Sequence, residues 1–308
     1  MTSTEPDVAT RPRSEDIRAV PVRHPGRWVA AVVIAVLAAM LAHFLAFTPP
    51  LHWGVVGQYL FDHSITVGVE RTIELTVLCM VLGIFLGIGL AVMRLSPNPI
   101  VSGTAWVYVW FFRATPVLVQ LLFWYNLPTV VHSLSVGVPF GPSWLHTDPK
   151  TLITQFGAAL LGLGLNEAAY MAEIARAGLL SVDEGQVEAA QAIGMHRLQA
   201  LRRIVLPQAM RVIIPPTGNE TISMLKSTSL VTVIGYAELL GTAQIIYSRT
   251  FQPIPLLTAI SIWYIFLTSM LYVGQYYLER RFGRGGLREP PPTPWQRVRR
   301  RLNPGVAG

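Results

Sequence analysis

The sequence holds almost no cysteine and little charge. Cys79 is the single cysteine in 308 residues. That excludes a disulfide framework and any zinc or iron–sulfur site built on thiolates. Asp, Glu, Lys and Arg make up 13% of the chain, about half the share typical of a soluble domain, while 52% is hydrophobic. This balance excludes an ordinary soluble enzyme, a disordered tail protein and a collagen-like rod, and it points to a polytopic membrane protein. Phosphate-binding signatures are also missing. No G-x-x-x-x-G-K-[ST] occurs, so the chain has no P-loop of its own. Gly87-Ile88-Gly89 and Gly162-Leu163-Gly164 lack the third glycine of a dinucleotide fingerprint. They lie in apolar stretches, where small residues serve close helix packing, as does the GxxxG pair Gly83 and Gly87. The histidines are scattered, no His/Asp/Glu spacing suits a metal, and no Ser/His/Asp grouping is readable. An enzyme is disfavoured, and no cofactor is expected in this chain.

What is present is a series of long apolar runs. Trp28–Phe47 can cross a bilayer as a helix. Arg11, Arg13, Arg18, Arg23 and Arg27 precede it, but the run is longer than the roughly 7–15 apolar residues of a signal peptide, so it reads as an uncleaved anchor. Further spans are expected at about 66–93, 102–127, 151–177, 212–246 and 254–278. The fifth contains Pro215, Pro216, Gly218, Glu220 and Lys226. It is therefore expected to be a tilted or broken helix whose irregular part faces protein or water.

The basic residues orient these six spans. Nineteen of the 24 Lys and Arg lie in residues 1–27, 94–101, 176–211 and 279–308, and two lie in the loops between the other span ends. With both termini cytoplasmic, the positive-inside rule is satisfied. The net charge of +7 then needs no nucleic-acid partner. The expected organisation is a cytoplasmic tail at 1–27, an extra transmembrane helix at 28–47, an extracytoplasmic loop at 48–65, a core domain at 66–281, and a cytoplasmic tail at 282–308. Both tails are rich in charge, Pro or Gly, and neither can bury enough apolar surface to fold alone. The Pro-rich outer loop 128–150 is expected to be ordered only if it packs on a partner.

The strongest signal is the cytoplasmic stretch 181–210. Glu188-Ala189-Ala190 begins a short helix that Gly194 ends, since glycine readily takes the left-handed conformation past a helix end. A second amphipathic turn follows, with Leu198, Leu201, Ile204 and Leu206 on one side and Arg197, Arg202 and Arg203 on the other. Pro207 then restarts the chain at the head of the next helix. Two short helices lying along the membrane, with small alanines exposed between them, make a knob that fits a groove on another protein.

These residues resemble the EAA loop of bacterial ABC-importer permeases: E-A-A, three residues, G, nine residues, I, one residue, L-P. Glu188, Ala189, Ala190, Gly194, Ile204, Leu206 and Pro207 stand at those spacings. Phe112 to Leu121 (FRATPVLVQL), Asn166 to Glu173 (NEAAYMAE), Leu206 to Ala209 (LPQA), Gly218-Asn219-Glu220 and Leu225 to Leu230 (LKSTSL) are similar to segments of polar amino-acid permeases. The resemblance covers about 66–281. Ala114 replaces a usual glycine and Glu167 a small residue, and the helix at 28–47 is additional and peripheral.

The resemblance implies an all-α integral membrane bundle of the type I ABC importer permease class, with about six transmembrane helices and 188–207 as the coupling helix. It implies a bacterial plasma-membrane subunit that takes up a polar amino acid, with a basic one as the narrower expectation. The implied partners are an ATP-binding cassette subunit, which would hold ATP and Mg, an extracytoplasmic solute-binding protein, a second permease copy or homologue, and membrane lipid. Ionisable residues inside spans normally face a cavity or a partner, so Glu220, Asn219, Arg113, Glu167 and Lys226 are the substrate-pathway candidates. Glu220 meets a substrate cation or pairs with Lys226 or Arg113, and Asn219 adds a donor and an acceptor at the same depth. Glu173 is expected to pair with Arg176 at i+3, and not with Glu167, which lies about 600° away around the helix. Glu70, Arg71 and Glu74 at the outer end of their span are expected to be solvated or paired. A second class of function, an ion-coupled secondary transporter using Glu167 or Glu220, leaves the 188–207 loop without a role.

Overall fold

The computed structural model describes residues 25–47, 51–131, 134–137, 143–148, 151 and 153–282. The Arg-rich tail at 297–301 and most of residues 1–27 lie outside the described residues. The chain forms two units, Met1–Leu51 and His52–Gly308. The first contains α1 (Pro25–Phe47), apolar and exposed all round, as a lipid-facing helix would be.

The second unit is a helical bundle. It begins earlier than the sequence suggests, because residues 48–65 include helix α2 (Trp53–Leu60). Helix α3 (His63–Arg94) starts at an Asp62 cap whose side chain accepts from the Ser64 N–H at 2.8 Å. The expected span 102–127 is instead two helices, α4 (Pro99–Ala114) and α5 (Val117–Val130), bent by 105° at Thr115-Pro116. Pro116 cannot donate to the helix before it, and it biases Thr115 to extended backbone. Residues 134–137 and 143–147 pair with each other as a short antiparallel hairpin, β1–β2. Helix α6 (Gln155–Leu180), α7 (Glu184–Ala192) and α8 (Arg197–Ala200) follow, and a π-helical turn at Leu201–Val205 leads into α9 (Leu206–Ser227).

The Pro215-Pro216 pair does not break α9, contrary to expectation. The helix runs through both prolines. The amide of Gln275 supplies a donor to the Pro215 carbonyl at 3.4 Å, and neighbouring helices commonly satisfy backbone groups around prolines in membrane helices. The break comes later. A 3₁₀ stretch at Thr228–Ile234 and a turn lead to α10 (Leu239–Thr250), at 45° to the preceding helix. The last helix is α11 (Pro253–Phe282), whose Trp263 indole donates to the Leu60 carbonyl at 2.7 Å and so fastens α2.

Among the described residues, three helices are long and apolar enough to cross a membrane, and up to five spans result if each bent pair counts as one. Helix α6 falls outside that count although its 26 residues would rise about 39 Å. It carries Asn166, Glu167, Glu173 and Arg176, and it hides in the bundle, with twelve of its residues buried. Its main contact is α3. A β-carbon on Gly83 would stand 2.5 Å from Glu167 Cγ, and one on Gly87 would stand 2.5 Å from Met171 Cβ and 2.9 Å from the Ala172 nitrogen. Gly89 faces open space. The GxxxG pair thus packs helices, as expected, and Gly89 does not share that role.

A graded effect follows. Gly87→Ala should lower stability by about 1–3 kcal/mol through overpacking against backbone. Gly89→Ala should leave it unchanged or raise it by up to about 1 kcal/mol, because alanine is the better helix former and meets nothing there. Thermal melting in detergent should separate the two variants by several degrees, and equal melting temperatures would show that the α3–α6 approach is loose.

Candidate functional site

A cavity of about 520 Å³ opens where α4, α5, α6 and α9 converge. Three helix counts place its charged residues at one depth. Arg113 lies fourteen residues from the start of α4, Glu220 fourteen from the start of α9, and Glu167 thirteen from the end of α6. These three helix ends lie at the same end of the bundle. At about 1.5 Å per residue, all three residues sit about 20 Å in, near the middle of a hydrocarbon core of about 30 Å.

The 105° bend between α4 and α5 brings Arg113, Thr115 and Pro116 to the cavity. The bend leaves carbonyls without helical partners, and buried Gln120 supplies the donors: its amide reaches the Phe112 carbonyl at 3.0 Å, the Thr115 carbonyl at 3.1 Å and the Thr115 hydroxyl at 2.7 Å. Asn166 donates to the same Phe112 carbonyl at 2.8 Å, and the Tyr108 hydroxyl donates to the Leu165 carbonyl at 2.9 Å. The bend is therefore bolted to α6 beside Glu167.

Arg113 lies over the Tyr170 ring, 5.2 Å from its centroid, a cation–π geometry. It forms no ion pair within 4 Å among the described residues. Glu167 is 4% exposed, and its Oε1 is buried without a hydrogen-bond partner among the described residues. Glu220 lines the cavity with Ser223, Met224 and Ser227, one helical face at i, i+3, i+4 and i+7. The cavity can hold a solute with both an anionic and a cationic group.

Of the five substrate-pathway candidates, Arg113, Glu167 and Glu220 converge on the cavity. Asn219 and Lys226 are not among its lining residues. The Asn219 side-chain oxygen accepts from Gln275 at 2.9 Å, towards α11. Lys226 is exposed and lies about 600° around α9 from Glu220, so it is not the partner of Glu220. Asn166, Tyr170, Ser223 and Ser227 also line the cavity, and the sequence reading does not place them on the substrate pathway. Their i+4 spacing to Asn166 and their i+3 and i+7 spacing to Glu220 were the available signal. Below the cavity, Glu173 pairs with Arg176 at 2.8 Å, as expected, and with Arg94 at 3.7 Å. Arg71 donates to the Ala237 carbonyl at 3.0 Å.

The 181–210 stretch forms a second feature. Helix α7 starts at Glu184, a turn before Glu188, because the Asp183 side chain caps it by accepting from the Gly185 N–H at 2.7 Å. At its end, Gly194 has φ +80°. Gly194 N–H donates to Gln191 and Met195 N–H to Ala190, the two bonds of a Schellman cap. Ala189, Gly194, Leu206 and Pro207 are exposed, whereas Ala190 is buried inside the knob and Ile204 is half-buried. Pro207 stands in the first turn of α9, as expected, but the helical path does not stop before it. The π-helical turn at Leu201–Val205 precedes it and carries the helical path onward, because a widened turn relieves the clash between a proline ring and the carbonyl four residues back.

A bundle of spanning helices around a polar mid-depth cavity, with a compact helical knob at one end, defines a membrane permease. The chain belongs to the binding-protein-dependent transport system inner membrane component family, whose model matches residues 83–284. It is 48% identical over 282 residues to the arginine transport system permease protein ArgU of Corynebacterium glutamicum, covering 91% of this chain and 87% of that protein. It is 36% identical over 212 residues to the nopaline transport system permease protein NocM of Agrobacterium fabrum, covering 68% and 83%. The crystal structure of an amino acid ABC transporter with histidines matches with a TM-score of 0.60 and 35% identity, over 71% of this chain and 94% of that one. The chain is thus a multi-pass plasma-membrane permease subunit of an ABC importer, a transport component whose ATPase activity lies in a separate subunit.

One functional group was not anticipated from sequence. Glu238 is fully buried and caps α10, accepting from the Leu240 and Gly241 N–H groups at 3.0 and 2.8 Å. It also accepts from Thr72 at 3.3 Å, Thr232 at 2.8 Å and Tyr264 at 3.0 Å. It thereby holds the 3₁₀ stretch that follows Ser227 at the cavity. Glu238→Gln presents an amide to these donors and leaves some unpaired, at an expected cost of about 1–3 kcal/mol. Tyr264→Phe should cost less. Melting of the purified protein checks both, and an unaltered melting temperature for Glu238→Gln would contradict the assignment.

Proposed function

We propose that this permease imports a polar amino acid with a basic side chain, and that Arg113, Glu167 and Glu220 form its passage site. The observation that carries the reading is the convergence of one guanidinium and two carboxyl groups on a single mid-membrane cavity. They match a zwitterion carrying one further positive group: Arg113 takes the carboxylate, and the two glutamates take the ammonium and the side-chain cation. Desolvated groups of this kind recognise by leaving the wrong ligand with unpaired partners. The arginine permease relative at 48% identity supports the same substrate class.

In this reading both termini are cytoplasmic, and 66–281 is the transport core. Residues 188–207 seat in a groove of the ATPase subunit, which binds ATP and Mg. The residues named for this contact are Glu188, Ala189, Ala190, Gly194, Ile204, Leu206 and Pro207. An extracytoplasmic binding protein delivers the solute, and a second permease copy or homologue completes the pathway. The short helix, its rigid Schellman cap and the exposed faces of Ala189 and Gly194 support a unit that moves as one body.

Two experiments on the assembled transporter in proteoliposomes test this. Glu220→Gln keeps size but removes the carboxylate, and a charge-assisted hydrogen bond is worth about 1.5–3 kcal/mol. ATP-driven arginine uptake should fall about tenfold or more, while glutamine uptake falls little. An equal loss for both would sink the substrate contact. At Gly194 an added β-carbon meets open space, so the only penalty is the left-handed backbone, about 1–2 kcal/mol for other residues. Gly194→Val should uncouple ATP hydrolysis from uptake. Gly194→Asn should retain coupling, because asparagine tolerates that conformation. Normal uptake by Gly194→Val would count against the coupling role.

A further inference from the structure

Beside the passage cavity, nearer the knob end of α6 and α9, lies a second hollow of about 320 Å³. Ile84 and Ile88 of α3, Met171 and Ala175 of α6, Met210 of α9 and Leu278 of α11 contribute to its walls, which are almost wholly apolar. On α9 the lining runs from Leu206 to Thr221, about 22 Å of helix. That exceeds one leaflet of the hydrocarbon core, about half of 30 Å. Ile88 and Leu278 are 52% and 42% exposed, so the hollow is a groove open along its flank.

Two arginines flank its part nearer the knob end of the bundle. Arg211 shares a helical face with Ile214 and Gly218, and Arg281 is three residues beyond Leu278. Both are exposed, and no ion pair engages them among the described residues. The other basic residue at this end of α3, Arg94, is already committed to Glu173. An apolar slot one leaflet deep with unpaired positive charge at its interfacial end has the shape and charge of a phospholipid with an anionic headgroup.

We infer that this groove is a binding site for an anionic phospholipid. One acyl chain lies between α3, α6, α9 and α11, and the phosphate-bearing headgroup lies against Arg211 and Arg281. The chain covers apolar walls that no protein segment covers among the described residues, and the headgroup neutralises charges that have no acidic partner there. Each arginine near an anionic headgroup adds attraction that a zwitterionic lipid does not receive in full.

The test uses the purified full chain, exchanged into micelles containing equal amounts of phosphatidylglycerol and phosphatidylcholine. Retained lipid is then counted by native mass spectrometry. The unaltered chain should retain about tenfold more phosphatidylglycerol. The double change Arg211→Gln and Arg281→Gln should bring the ratio close to one, and each single change should lower it part of the way. Ile88→Trp, at an exposed groove position, should reduce retention of both lipids while circular dichroism stays unchanged. If that variant fails to fold, Val92→Trp at the same wall replaces it. Equal retention of the two lipids by the unaltered chain, or a ratio unmoved by the arginine changes, overturns the inference. So does efficient disulfide formation between two copies of Val92→Cys, which would assign the groove to a second permease copy.

Discussion

At Gly83 the α3 backbone lies so close to α6 that the stem of Glu167 occupies the space where a β-carbon would stand. One turn further, Gly87 admits Met171 and the backbone of Ala172 in the same way. Without a hydrophobic driving force between helices in lipid, such close backbone approach is what holds them together. It also seats a carboxyl group 4% exposed at mid-depth. The α3–α6 seam therefore sets both the bundle and the wall from which the cavity is built, and a β-carbon at Gly83 would disturb both at once.

The rest of the cavity comes from irregular backbone, which a membrane tolerates only where protein satisfies its polar groups. Two buried side chains do this. Gln120 serves the carbonyls freed at the 105° bend, and Glu238 gathers two backbone N–H groups and three hydroxyls at the break between α9 and α10. Both breaks thus become fixed corners. Arg113 stands just before the first corner, and Ser223 and Ser227 stand just before the second. Arg113 reaches the cavity because α4 ends there, whereas Glu167 and Glu220 project into it from continuous stretches of α6 and α9.

Much of this was legible in the sequence where one residue type dictates local geometry. The α3 span, the apolar helix α1, the packing role of Gly83 and Gly87, the left-handed Gly194 and the Glu173–Arg176 pair all follow from spacing and conformational preference. Positions governed by tertiary partners read less well. Pro215-Pro216 looked like a break, but the neighbouring α11 supplies Gln275 and the helix continues. Thr115-Pro116 looked continuous within an apolar run, yet Gln120 stabilises a sharp bend there. Lys226 and Glu220 share a short stretch but point to different sides of α9. Glu238 gave no signal at all, since its donors come from residues 72, 232 and 264 as well as its own helix. Depth along a helix was readable; direction around it depended on neighbours that one sequence does not reveal.

The central claim is that a basic amino acid passes through the cavity between Arg113, Glu167 and Glu220. Its most direct test is a structure of the assembled importer at saturating arginine, with the ATPase subunits held in the conformation that keeps the passage closed to the cytoplasm. The account requires ligand density in that cavity, with the carboxylate towards Arg113 and the guanidinium towards Glu220 and Glu167. Arginine bound elsewhere in the permease, or the same cavity holding the ligand in the reverse orientation, would contradict it.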